Sequence, residues 1–177
     1  MKRAVFVIAV LISGQFSFAQ TSPDSATKQA PPISSEVSIT VDPPPSPIRL
    51  ASLINVKVTV KNITDKEIYL ETVRSPNGMA AYMDFTYLLM KDGREVETTF
   101  FHRKITGRQR PDDPDGVWAG SFIVLPHPPG LIYQMTIDLK RLYEIKEPGV
   151  YTLEVSRFDQ NHKTKVSSNT LNLKIVP

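Results

Sequence analysis

The chain closes on two segments of regular alternation, and these constrain its fold more than any other feature. Tyr151, Leu153 and Val155 alternate with Thr152 and Glu154, and Leu171, Leu173 and Ile175 alternate with Asn172 and Lys174. Successive side chains of a strand point to opposite faces, so a period of two gives one apolar face and one wet face. Pro148-Gly149 supplies the turn that opens the first segment, and Tyr151 enters two residues later. The cleanest run of this kind lies earlier, where Ile54, Val56, Val58 and Val60 alternate with Asn55, Lys57, Thr59 and Lys61.

Further strands are expected on either side. Val37, Ile39 and Val41 alternate with Ser38, Thr40 and Asp42 until Pro43-Pro44-Pro45, which cannot donate to a ladder. Residues 62–66 turn the chain, and 67–73 return with Ile68 and Leu70 inward. Residues 85–90 and 95–101 flank Asp92-Gly93, a strong signal for a type I′ hairpin. Residues 122–125 form a strand, Pro126 to Gly130 a turn, and 133–137 another strand with Tyr133, Met135 and Ile137 on one face. Asp138 is placed to cap one helical turn ending at Tyr143, and no longer amphipathic run of helical period is present. About eight or nine short strands joined by turns predict an all-β sandwich or barrel. The sandwich is preferred, with Tyr151, Leu153 and Val155 facing the Ile54–Val60 strand across the core.

The N-terminus reads as a secretory signal: Lys2 and Arg3, an apolar run from Ala4 to Ile12, and Ser17-Phe18-Ala19 at the cleavage position. Cleavage is expected after Ala19, giving an exported chain that is periplasmic or extracellular. Residues 20–35 are rich in Ser, Thr, Pro, Ala and Gln and read as a flexible linker. Residues 36–177 then form one domain. No run in the mature chain is long and apolar enough for a transmembrane segment. The chain has 21 Lys and Arg against 18 Asp and Glu, and loss of Lys2 and Arg3 leaves 19 against 18. A near-neutral chain lacks the basic face that nucleic acid requires. There is no cysteine, hence no disulfide and no thiol chemistry. Asn62-Ile63-Thr64 has the form of a glycosylation acceptor in a eukaryote and reads as a simple turn in a bacterium.

The segment from Asp138 through Tyr143, followed by EPGVYTLEV and SNTLNLKIV, resembles the end of immunoglobulin-like domains of exported bacterial proteins. The resemblance implies a β-sandwich in which Tyr151 makes a tyrosine corner, its hydroxyl bonding backbone upstream. Leu153 stands where antibody domains carry a cysteine, and Trp118 follows a loop rather than lying on an early core strand, so the antibody subtype is excluded.

No catalytic motif is present. The chain lacks G-x-S-x-G, H-E-x-x-H, a P-loop and G-x-G-x-x-G, and His102, His127 and His162 fall in or beside expected loops. A non-catalytic chain with no cofactor and no metal site is expected. Asp112-Asp113-Pro114-Asp115-Gly116 lacks the spacing and the distal Glu of a calcium loop. The densest charge run, from His102 to Arg110, opens a long loop ending at Val117, with Phe100-Phe101 before it and Trp118 after it. Arg and Trp are favoured contact residues, and long loops on rigid scaffolds carry function. His102, Arg103, Arg108, Arg110 and Trp118 are therefore the candidate partner-binding residues, weighed against a solvated loop whose arginines pair with Asp112, Asp113 and Asp115. A second loop, residues 75–83, carries Met79, Tyr82 and Met83, whose residue types suit a contact surface; the bland reading, a loop folding its own apolar residues down over the sandwich end, is favoured. The expected function is a binding or structural module whose partner is a protein or an envelope polysaccharide. A protease inhibitor of β-sandwich type is the alternative.

Overall fold

A computed structural model describes residues 35–74, 80–114, 121–160 and 162–177. The expected signal (1–19) and nearly all of the expected linker (20–35) lie outside these residues, as do Met79 of the second loop and Trp118. The fold is all-β. Its strands are β1 (Val37–Asp42), β2 (Ile48–Arg49), β3 (Asn55–Asn62), β4 (Ile68–Arg74), β5 (Thr86–Lys91), β6 (Arg94–Glu95), β7 (Ser121–His127), β8 (Ile132–Asp138), β9 (Gly149–Asp159), β10 (Thr164–Ser167) and β11 (Leu171–Val176). Three short helices interrupt them: α1 (Ala80–Met83), α2 (Phe100–Ile105) and α3 (Leu139–Leu142).

The strands form three sheets. One has the order β1-β3-β8, a second runs β2-β11-β9-β5-β6 with β10 also on β9, and the third is the pair β4-β7. All pairings are antiparallel except β2 with β11. The alternation of β3 is realised as read: Val56, Val58 and Val60 are buried while Asn55, Lys57 and Lys61 face water. Tyr151, Leu153 and Val155 of β9 are buried likewise, and residues of β3 and β9 enter one continuous hydrophobic cluster. The core is thus shared between the first and second sheets. Asn169 ties them at one edge: its side chain accepts from Val41 N at 2.9 Å and donates to Val41 O at 3.1 Å.

The turns follow residue chemistry. Asp92 and Gly93 both have positive φ, 51° and 75°, as a two-residue hairpin requires. Gly149 has φ 150°, and a Cβ there would meet Lys91 Cε at 3.0 Å. Asp138 caps α3, its Oδ1 accepting from Lys140 N at 3.1 Å. The Tyr151 hydroxyl donates to the Glu147 carbonyl, four residues upstream, at 2.7 Å. Asn62 is fully buried and joins three segments. Its Nδ2 donates to the carbonyls of Lys66 (2.9 Å) and His127 (2.7 Å), and its Oδ1 accepts from Thr64 N (2.9 Å) and Thr64 Oγ1 (2.8 Å). The side-chain amide at this acceptor motif is consumed by the fold.

Two expectations are corrected. The described residues hold eleven strands rather than eight or nine, because β2 and β10 are too short to show a pattern. The strand expected over 95–101 ends at Glu95, and Phe100 and Phe101 begin α2. In the second loop, Tyr82 is buried, as expected of a loop that folds its apolar residues down: its ring meets Phe101 edge-on at 5.5 Å, and its hydroxyl accepts from Asp138 N at 3.2 Å.

Candidate functional site

The segment expected as an irregular loop from His102 begins as a helix. Thr99, in extended backbone (φ −68°, ψ 162°), presents Oγ1 to His102 N at 3.2 Å. A threonine at this position satisfies one of the free N–H groups of the first turn. The same hydroxyl donates to Arg141 O at 2.5 Å, and Thr99 N donates to Leu142 O at 2.9 Å. The Arg141 guanidinium lies over Phe101 at 4.7 Å and over Tyr82 at 5.0 Å. These contacts fasten α2 onto α3, so the charged segment leaves a fixed platform.

His102 is not a surface residue. The turn of α2 points it inward, where it is 7% exposed and meets the Tyr143 ring edge-on at 5.2 Å. Its Nδ1 is buried without a hydrogen-bond partner among the described residues. Burial lowers its pKa below 6.5, and Arg108 adds to that, while a backbone hydrogen bond to Leu142 and the Glu95 carboxylate act against it. His102 supports the site from beneath.

Arg103 is also engaged. Its Nε donates to Asp113 Oδ2 at 2.8 Å, its Nη2 to Asp113 Oδ1, and its Nη1 to the Thr98 carbonyl. Asp113 Oδ2 accepts in addition from Arg110 N at 2.8 Å. The Arg103 hydrogen bonds, helped by the Arg110 N–H, hold the Asp113 carboxyl down from 3.8 to about 2. Asp113 therefore serves as an internal clamp. Among the described residues no cluster of three His, Cys, Asp or Glu side chains forms a metal site.

The remaining candidates stand at the surface. Arg108 N donates to Arg103 O at 2.8 Å, which anchors its backbone while its side chain stays exposed. Among the described residues no carboxylate comes within ion-pair distance of Arg108. Arg110 is paired at the surface with Glu97 at 3.2 Å. A groove of about 340 Å³ brings His102, Arg103, Arg108 and Arg110 together with Glu95 and Glu97. Four of the five candidates thus share one concavity, and the fifth, Trp118, lies outside the described residues. The groove offers cationic, anionic and hydroxyl groups for recognition.

Sequence reasoning passed over a second surface. Residues 122–125 read as a strand, and the structure leaves Phe122 70%, Val124 61% and Leu125 42% exposed on β7. A continuous apolar run does not say which face is buried, so the signal was present but unoriented. β7 pairs only with β4 among the described strands, and Leu70, Ile123 and Leu125 of that pair line a cavity of about 230 Å³ against the main body.

No family model matches the chain, and no curated protein matches it. Among solved structures, a β-glucosidase from Listeria innocua in complex with glucose is similar at a TM-score of 0.40 and 13% identity, over 80% of this chain and 16% of the enzyme. The same enzyme in complex with isofagomine matches at 0.38 and 14%, over 79% of this chain and 16% of the enzyme. BslA, a bacterial hydrophobin, is similar at 0.35 and 11%, over 81% of this chain and 97% of BslA. The chain spans about a sixth of the β-glucosidase's length, and none of these likenesses carries an argument about activity or partner.

Proposed function

We propose that the protein is an exported, non-catalytic binding module of immunoglobulin-like β-sandwich type, released by cleavage after Ala19. Its α2 end would contact a protein partner ahead of an envelope polysaccharide. One observation carries the reading. Arg108 is an exposed guanidinium with no ion-pair partner among the described residues, on a segment whose backbone is pinned to Arg103 and clamped by Asp113. Holding a contact residue in place before binding reduces the ordering cost of association. Arginine is among the residues that most often dominate protein interfaces. The Tyr151–Glu147 hydrogen bond supports the immunoglobulin-like reading, because it has the form of a tyrosine corner.

The test compares partner capture by the wild-type protein with capture by an Arg108→Ala, Arg110→Ala variant. Loss of one partner by the variant, with an unchanged denaturation midpoint, supports the reading. Equal capture by both proteins rejects it.

A further inference from the structure

Arg157, on β9, lies against the cavity under β4 and β7. Its Nη2 donates to the Glu71 carbonyl of β4, and its guanidinium carbon lies 5.9 Å from the Phe85 ring centroid. The side chain is half-buried, and none of the ion pairs among the described residues includes it. Burial lowers its pKa, which records an incompletely compensated charge, and Asp84, Asp159 and Glu71 offset this only through longer-range attraction. A charge withdrawn from water without a close partner is costly, and an anion brought beside it recovers part of that cost.

The cavity around it is amphipathic. Leu70 and Ile123 form one wall and Val60 and Phe85 another, and the volume is about 230 Å³. Among the described lining residues Arg74 stands with Arg157, and Asp84 is the single carboxylate. Asp84 is already occupied: it accepts from Thr72 Oγ1 and, at 2.8 Å, from Val73 N. Two guanidiniums against one engaged carboxylate leave the described lining one positive charge in excess. Pockets for drug-sized ligands usually run from about 300 to 1,000 Å³ and combine apolar walls with a few polar groups. This one is smaller, so it suits a short ligand.

We infer that the cavity between the β4–β7 pair and the main body is a binding site for a short-chain amphiphilic monoanion, a carboxylate on an unbranched apolar tail, with Arg157 receiving the carboxylate. A guanidinium fork matches a carboxylate at two points. A doubly charged phosphate head would bring a second negative charge beside Asp84 with only one excess positive charge to meet it. The tail occupies the space lined by Leu70, Ile123 and Val60. This site is separate from the α2 groove and stands or falls independently of it.

The experiment titrates the full chain with octanoate labelled with ¹³C at its carboxyl carbon, and in parallel with octanol and with acetate. The inference predicts saturable octanoate binding at least tenfold tighter than octanol, no saturation by acetate, and a shifted carboxyl resonance in the complex. Arg157→Met is expected to bring octanoate down to the affinity of octanol. Ile123→Trp fills the cavity from β7 and is expected to abolish both, whether or not the Arg157 variant folds. Octanol binding as tightly as octanoate, or octanoate binding unchanged by Ile123→Trp, overturns the inference.

Discussion

Arg103 and Asp113, ten residues apart in the chain, form a two-point ion pair, with Nε on Oδ2 at 2.8 Å and Nη2 on Oδ1. Because Asp113 also receives the Arg110 N–H, one carboxylate closes the whole segment between α2 and Asp113. Its depressed pKa fixes the sign of the pH response. The folded value, about 2, lies below the usual 3.8, so the clamp contributes fully above 3.8 and is lost as pH falls from there toward 2. Asp113→Asn should abolish that acid-range loss and speed amide hydrogen exchange at Arg110 by at least tenfold at neutral pH. Unchanged exchange in the variant would contradict the clamp.

His102 gives a second pH response in a different window. Its folded pKa is lowered below 6.5 by burial, so protonation favours the unfolded chain. The stability it permits is fully present above 6.5 and declines as pH drops through that value, until the folded pKa is reached. The groups facing it are Arg108, Glu95, the Leu142 carbonyl and the Tyr143 ring. The slope cannot exceed about 1.4 kcal/mol per pH unit for one group. Chemical denaturation between pH 7 and 5 should show this decline in the wild type and a flatter curve in His102→Phe.

Tyr143 is 1% exposed, and its hydroxyl donates to the Tyr87 carbonyl at 2.6 Å while accepting from Leu89 N at 3.3 Å. It thereby pins α3 to β5. Tyr143→Phe leaves a buried carbonyl without its donor, and the expected cost is about 1–3 kcal/mol in urea denaturation.

Asn62 makes the same argument at the other end of β3. Its four hydrogen bonds join the end of β3, the turn at Lys66 and the end of β7. Asn62→Ala should cost about 2–4 kcal/mol, because several buried polar groups lose their partners together. Asn62→Asp should also destabilise, since a carboxylate cannot donate to the Lys66 and His127 carbonyls.

Much of the β scaffold was legible because its signals are local. The period of two in β3 and β9, the cap at Asp138 and the Asp92-Gly93 turn each follow from neighbouring residues. The pairing of β4 with β7 sets Ile68 opposite His127, far apart in the chain, and no local pattern announces such a partner. The α2 helix was missed because six residues are too few for a period to show, with only Phe101 and Ile105 at helical spacing, although Thr99 carried the capping signal. The basic run located the groove, but sequence could not distribute its roles. Only packing separates the buried His102 and the clamped Arg103 from the exposed Arg108.

In the proposed binding mode Arg108 and Arg110 present the contact surface while Arg103 and Asp113 hold it. The most direct measurement is quantitative cross-linked capture from the native envelope fraction, using wild type, Arg108→Ala with Arg110→Ala, and Phe122→Ser with Val124→Ser as a surface control. Both double variants should keep their stability to within about 0.5 kcal/mol, since they change exposed side chains. A partner retained by the wild type and the β7 control and reduced at least tenfold by the arginine variant is the expected result. The same partner captured equally by the arginine variant, or lost only with the β7 variant, would contradict it.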